Sequence, residues 1–113
     1  MKLRRSKAQI VYWLLGRRKR FQVSGASMQP TLSNGDTVLV SPFAYLHALP
    51  QVGDLVVIQH PERKLPMIKR VHHIEAADKV YVRGDNSEVS TDSRHFGWVS
   101  PESIIGKVVS LFS

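Results

Sequence analysis

Short runs of apolar and β-branched residues, separated by turn-forming residues, recur along the chain after its first twenty residues. The runs are residues 37–40, 55–58, 67–74, 79–83 and 104–112. Several of them alternate between apolar and polar positions, as half-buried strands do. Runs of this length at roughly 10–15-residue spacing favour one compact, mostly β domain, a barrel or sandwich, over βαβ units. Residues 41–52 contain two prolines and are expected to form a loop.

The first twenty residues have a different pattern, because one apolar run, residues 10–15, lies between groups of Lys and Arg. On a helix, Leu3, Ile10, Val11 and Leu14 would share a side. A membrane span needs about 20 apolar residues. A secretory signal needs a longer apolar region and a small-residue cleavage site. We therefore expect no span. The segment either packs on the domain or lies on an anionic membrane surface.

The length of 113 residues allows one domain with a small core, and we expect a basic tail at 1–20 and the β domain at 21–113. The net charge is +7, but eight of the 16 basic residues lie in the tail, and residues 21–113 carry eight basic and nine acidic residues, a net of −1. The basicity belongs to the tail, so we expect no specific nucleic-acid partner. Cysteine is absent, which excludes disulfides and thiol catalysis.

Ser27 is the first candidate for chemistry, within the segment SGASMQPTL at residues 24–32. The small neighbours Gly25 and Ala26 would let a substrate backbone approach the Ser27 hydroxyl. They would also leave backbone N–H groups free to face an oxyanion. The same composition is typical of an ordinary turn, so this segment alone leaves both interpretations open.

Lys69 is the candidate base. If residues 67–74 form a strand, alternation places Met67, Lys69 and Val71 on one face. Burial there would lower the pKa of the lysine, and a neutral lysine amine can deprotonate a serine hydroxyl. The alternative is a lysine that reaches water from the strand edge. Arg70 points the other way and is expected on the surface.

A third segment, residues 83–94, is dense in turn formers and hydroxyl groups and follows a predicted strand. As an ordinary loop it would be held by Asx and Ser/Thr turns. As support for a site, Ser90 would orient the base, and Asp92 would pair with Arg94 to brace the loop.

Taken in order, these segments resemble the signal peptidase I family of serine endopeptidases. SGASMQPTL is similar to the nucleophile box, MIKRV to the lysine box, and RGDNSEVSTDSRHFGWV to the box of Gly84, Asp85 and Asn86. NGDTVLV, VGDLVV and IIGKV are similar to the accompanying strands, and the resemblance covers residues 22–109. It implies a β domain of the signal peptidase and LexA type.

The resemblance implies Ser27 as nucleophile and Lys69 as general base. The supporting residues that it implies are Met28, Gly84, Ser90, Asp92 and Arg94. The implied oxyanion and substrate-binding segment is Ser24, Gly25 and Ala26. The Ser27 N–H would be one oxyanion donor. Gly25 stands where some members carry a serine, so a backbone group, a water or Ser24 would be the second donor. No metal or cofactor is implied.

The implied reaction removes an N-terminal propeptide or signal peptide from a precursor protein, cutting after small residues. Well-known bacterial members of this family carry one or two membrane spans before the nucleophile box, and many insert a large β-domain between the lysine box and the Gly-Asp-Asn box. Here no span is expected, and only residues 72–83 fill that gap. In both respects it is most similar to the maturation proteases of nickel-type superoxide dismutase. A general signal peptidase at the membrane is the alternative. We expect a cytoplasmic protein, with peripheral membrane contact through residues 1–20.

Two other interpretations compete. The LexA group uses a Ser–Lys pair to cut itself at an Ala-Gly or Cys-Gly bond before the serine, and the sequence contains neither dipeptide. A non-enzymatic binding module would use the basic tail to hold nucleic acid or membrane, and it would tolerate loss of Ser27 and Lys69.

Overall fold

The computed structural model describes residues 3–76 and 78–112. These residues form two short helices, α1 (Lys7–Leu14) and α2 (Ser93–Phe96), and a 3₁₀ turn at Pro101–Ser103. The strands are β1 (Lys19–Gln22), β2 (Thr37–Ser41), β3 (Leu55–Gln59), β4 (Pro66–Glu75), β5 (Lys79–Arg83) and β6 (Ile104–Leu111). All five predicted apolar runs therefore form strands. The mostly β fold is confirmed.

The six strands form one sheet in the order β1-β2-β6-β3-β4-β5, and every neighbouring pair is antiparallel. β1 and β5 stand at the two ends of this order. Among the described residues they do not pair with each other, so the sheet is open. Of the two forms expected, a barrel or a sandwich, a closed barrel is therefore not the one present in the described residues.

Apolar side chains pack on both faces of this sheet. The register places Val57 opposite Ile68 and Val56 opposite Lys69, and successive residues of a strand point to opposite faces. Val57 and Ile68 accordingly belong to one buried cluster, whereas Val56 belongs to another together with Val71. Burial on both faces explains why β2 and β3 are nearly continuous apolar runs.

The N-terminal segment lies against the last strand. The backbone oxygen of Arg4 accepts a hydrogen bond from Leu111 N–H at 3.0 Å, and Leu3 packs on the first cluster. The rings of Trp13 and Phe112 meet edge to face, with centroids 4.7 Å apart. β1 begins at Lys19, so sheet pairing starts within the first twenty residues.

Helix α1 is short because both of its ends carry stop signals. Ser6 caps its start by accepting a hydrogen bond from Gln9 N–H, and Gly16, with φ of 77°, follows its end. Val11, Leu14 and Leu15 are each more than half exposed. No helix in the described parts of the chain is long and apolar enough to cross a membrane.

Candidate active site

Ser27 lies in the loop that joins β1 to β2. Backbone hydrogen bonds between Val23 and Asp36 (2.7 Å) and between Gly35 and Val23 (2.9 Å) close the loop at its base. Next to Ser27, Met28 is fully buried and anchors the loop in the core. The hydroxyl is therefore carried on a segment that the core holds in place.

Lys69 projects from β4 toward this loop and is only 2% exposed. Its Nζ lies 3.1 Å from Ser27 Oγ and 3.2 Å from Ser90 Oγ. Burial lowers the pKa of Lys69, while the Asp92 carboxylate nearby opposes this shift. The predicted face is present too, because Met67 and Val71 belong to the same apolar cluster as Val56, the residue opposite Lys69.

Ser90 determines how Lys69 can bond. Its hydroxyl proton is donated to Asp92 Oδ2 at 2.8 Å, so Ser90 Oγ must accept from Lys69 N–H. In its neutral form the Lys69 amine has one lone pair. Because Lys69 donates an N–H to Ser90, this hydrogen bond does not use the lone pair. That lone pair is available for the proton of Ser27, the other hydroxyl within reach.

Asp92 is the buried centre of the supporting network. Its carboxylate accepts hydrogen bonds from Gly84 N–H (2.9 Å), from Arg94 Nε (2.9 Å) and from Ser90. Burial alone would raise the pKa of Asp92, but these hydrogen bonds outweigh it and hold the pKa well below its usual range. Asp92 stays ionised and holds Ser90 in place.

Gly84 fills a position that has no room for a side chain. A Cβ built on it would overlap Ser90 Oγ and lie 2.6 Å from the backbone oxygen of Ser27. The absence of a side chain thus lets the Gly84 loop pack against both hydroxyl-bearing residues.

Asn86 holds the nucleophile loop directly, although the sequence reasoning gave it no role. Its N–H donates to the Ser27 backbone oxygen at 2.8 Å, and its Nδ2 donates to the Ala26 oxygen at 3.1 Å. The available signal was its place in the Gly-Asp-Asn box, directly after Asp85.

A second ion pair joins the three predicted segments. Arg70 donates to both carboxylate oxygens of Asp85 at 2.9 Å, and Thr31 Oγ1 donates to the same carboxylate at 2.5 Å. The expectation that Arg70 is a surface residue was therefore wrong. Arg70 does point away from Lys69, but its bidentate ion pair with Asp85 holds it half-buried.

A groove of about 310 Å³ opens beside Ser27 and Lys69. Its apolar wall comes from Phe21, Val23, Met28, Leu65, Pro66, Met67, Ile68 and Val89. Among the described residues, none accepts a hydrogen bond from Ser27 N–H, whereas Gly25 N–H donates to Asn34 Oδ1 at 2.8 Å. The Ser27 N–H can therefore face an oxyanion in the groove, whereas the Gly25 N–H is already hydrogen-bonded to Asn34. Ser24 also lines the groove and stays a predicted donor.

The structure thus brings the predicted site residues together. Ser27, Lys69 and Ser90 are linked in a row, with Asp92 and Arg94 behind Ser90. Such a row offers a nucleophile, a base of lowered pKa and an orienting group, the combination that nucleophilic catalysis requires.

The chain is similar in sequence to known signal peptidases. The family model described as signal peptidase, peptidase S26, matches residues 10–75 and 72–113. Signal peptidase I of Buchnera aphidicola is 41% identical over 63 residues, which cover 45% of this chain and 20% of that protein. The mitochondrial ATP-independent inner membrane protease subunit 1a of Arabidopsis thaliana is 33% identical over 110 residues, or 77% of this chain and 66% of that protein.

The chain belongs to the signal peptidase family, peptidase S26, which is a family of serine peptidases. Signal peptidase I of Pseudomonas aeruginosa is also similar, at 32% identity over 102 residues, 77% of this chain and 33% of that protein. The chain spans less than two thirds of the length of each of these relatives.

Proposed function

We propose that this protein is a serine endopeptidase in which Ser27 is the nucleophile and Lys69 is the general base. One observation carries the proposal: a buried lysine amine lies 3.1 Å from a serine hydroxyl that borders an open groove. A lysine that served only to neutralise charge would pair with a carboxylate. Nζ of Lys69 instead contacts two hydroxyl groups.

The reaction is an acyl transfer. Lys69 Nζ takes the proton of Ser27 Oγ as this oxygen attacks the scissile carbonyl carbon. Ser27 N–H donates to the oxyanion, and the Lys69 ammonium returns the proton to the departing amine. The Lys69 amine, neutral again, then activates a water that hydrolyses the acyl-enzyme. Ser90 keeps Nζ in position through both steps.

The substrate is a precursor protein that loses an N-terminal segment. The groove would bind that segment in extended form, with its apolar wall against apolar side chains. Small residues at the cut are what the family resemblance implies. The names of the relatives given above favour a signal peptide as this segment.

A propeptide of nickel-type superoxide dismutase is the second candidate. The observation in its favour is that β4 and β5 are joined by a connection of only three residues, 76–78. The catalytic core thus carries no inserted domain at this point.

We also propose that α1 contacts a membrane peripherally. Val11, Leu14 and Leu15 are exposed apolar side chains, and the basic residues 17–20 follow after Gly16. This combination suits an anionic lipid surface. Co-sedimentation of Leu14→Gln/Leu15→Gln with anionic vesicles should fall relative to wild type. Equal sedimentation would contradict the contact.

The direct test of the peptidase uses two purified precursors, one with a signal peptide and one of nickel-type superoxide dismutase. Wild-type protein should cut one of them at a single bond, identified by mass spectrometry. Ser27→Ala and Lys69→Ala should each lose roughly 10⁴-fold or more in rate. The exposed positions Ser33 and Lys64 provide matched controls, and Ser33→Ala and Lys64→Ala should keep wild-type rates.

Which of the two precursors the wild-type protein cuts decides between the two proposed substrates. Cutting that persists in folded Ser27→Ala would contradict the proposed nucleophile. A wild-type protein that cuts neither precursor and still binds membrane or nucleic acid would instead favour a non-enzymatic binding module.

A further inference from the structure

A second cavity, of about 480 Å³, lies where the N-terminal segment meets the sheet. Its lining includes four basic residues, Arg4, Arg5, Arg70 and Lys107, and one acidic residue, Asp54. We propose that this cavity, named here the basic pocket, binds a phosphate group. Neither Ser27 nor Lys69 lines it, so it is separate from the groove of the proposed proteolysis.

The positive charge of the basic pocket is only partly neutralised. Arg70 is already committed to Asp85. Lys107 Nζ lies 3.8 Å from Asp54 Oδ1, but the Asp54 carboxylate also accepts a hydrogen bond from Tyr45 OH at 2.7 Å.

Neither Arg4 nor Arg5 forms an ion pair with any residue that the structure describes. Both residues line the basic pocket, and within the described residues no ion pair neutralises their charges.

The backbone that carries the two arginines is fixed to the sheet. Arg4 accepts a hydrogen bond from Leu111 N–H at 3.0 Å, and Arg5 forms a parallel bridge with Leu111. Ser6, the next residue, also lines the basic pocket and caps helix α1. The first N–H groups of a helix have no acceptor within it, and the positive end of the helix dipole favours an anion there. The start of α1 therefore lies beside the basic pocket and adds to its positive potential.

A phosphate group suits these donors better than a carboxylate, because it carries more negative charge and three strong acceptor oxygens. Guanidinium groups bind phosphate oxygens in pairs, with two parallel hydrogen bonds. The apolar side of the basic pocket, formed by Leu3, Leu55 and Val108, would contact the carbon atoms next to the phosphorus. The ligand is therefore a phosphate ester, either a soluble one or the headgroup of a phospholipid.

The test measures binding and uses the full chain with Ser27→Ala, so it is independent of proteolysis. The soluble probe is glycerol 3-phosphate, in isothermal titration calorimetry. The lipid probe is a vesicle of phosphatidylglycerol and phosphatidylcholine, compared in sedimentation with phosphatidylcholine alone. Arg4→Gln/Arg5→Gln should weaken binding about tenfold or more, since each lost hydrogen bond involves a charged group.

The matched control is Arg63→Gln/Lys64→Gln, which removes the same charge from exposed positions outside the basic pocket. It should bind like wild type. A second pocket variant, Lys107→Gln, leaves the N-terminal segment intact and should weaken binding as well, which covers the case in which the arginine pair fails to fold. Thermal unfolding verifies the fold of all three variants.

Binding of glycerol 3-phosphate that the pocket variants lose would support the proposal with a soluble ester as ligand. Binding only to anionic vesicles, with the same pattern of loss, would support it with a phospholipid headgroup. No binding to either probe, or equal losses in the pocket and control variants, would overturn it.

Discussion

Gly84 packs against Ser90 so closely that the Cβ of any other residue at position 84 would overlap the Ser90 hydroxyl. Ser90 is also the residue that separates Asp92 from Lys69 in the row of hydrogen bonds behind Ser27. A single methyl group at position 84 would therefore displace the residue that positions the proposed base.

We predict that Gly84→Ala lowers kcat about 10²-fold, because displacements near 1 Å cost this much in catalytic sites. The matched control is Gly106→Ala, where a Cβ would lie 2.6 Å from the Ser41 backbone oxygen, outside the site. Both variants should lose stability in thermal unfolding. Only Gly84→Ala should lose kcat per folded molecule, and equal kcat losses would contradict the positioning role of Ser90.

Substitution of Lys69 should separate activity from stability. Lys69→Arg and Lys69→Met should both be inactive, since arginine is not deprotonated in proteins and methionine is no base. Lys69→Met should nevertheless raise the free energy of unfolding at neutral pH, because it removes a buried amine. The gain is about 1.4 kcal/mol for each unit by which folding lowers the pKa of Lys69.

The sign of this effect with pH follows from the lowered pKa of Lys69. Between the folded pKa and that of an ordinary lysine, the unfolded chain binds more protons, so wild-type stability rises with pH. The advantage of Lys69→Met should therefore shrink as the pH rises through this window in urea titrations. An advantage that grows with pH would contradict a lowered pKa.

Asp92→Asn should destabilise the protein by about 1–3 kcal/mol, because the buried neutral amide cannot accept all the hydrogen bonds that the carboxylate accepts. Wild-type stability from Asp92 is present above the pKa of an ordinary aspartate and is lost as the pH falls. The variant should lack this acid-side loss in urea titrations. Asp78→Asn, at an exposed turn position, is the control and should unfold like wild type.

The pair of Arg70 and Asp85 should couple energetically. In a double-mutant cycle with Arg70→Gln and Asp85→Asn, the coupling energy for unfolding should be about 0.5–3 kcal/mol. If the losses in the free energy of unfolding of the two single variants simply add up in the double variant, the bidentate ion pair contributes nothing to stability. Because Thr31 joins the same carboxylate, both single variants should also lower kcat.

Much of the fold followed from the sequence because apolar runs and apolar–polar alternation mark the buried strands of this sheet. Runs of valine, leucine and isoleucine predicted β2 and β3 correctly, and alternation placed Lys69 on the face of Met67 and Val71. The open order of the strands was not predictable, since period and spacing do not tell which strand pairs with which. Pairing of β6 between β2 and β3 depends on contacts between residues far apart in the chain.

The members of the candidate site were named from the sequence, whereas the bonds between them were not. Ser27, Lys69 and Ser90 were named from motifs, and their distances came only from the fold. Arg70 was misassigned because strand alternation tells which face a residue points to, but not that Asp85 from a distant loop lies there. Asn86 was missed for the same reason, since its partners are backbone oxygens of Ala26 and Ser27.

The most direct test of the pairing of Ser27 with Lys69 is the pH dependence of kcat/KM for cleavage of the accepted precursor. The rate should rise with pH along a single ionisation whose apparent pKa lies below that of an ordinary lysine, because neutral Lys69 is the active form. A rate that does not change with pH, or one that rises only where exposed lysines titrate, would contradict the account.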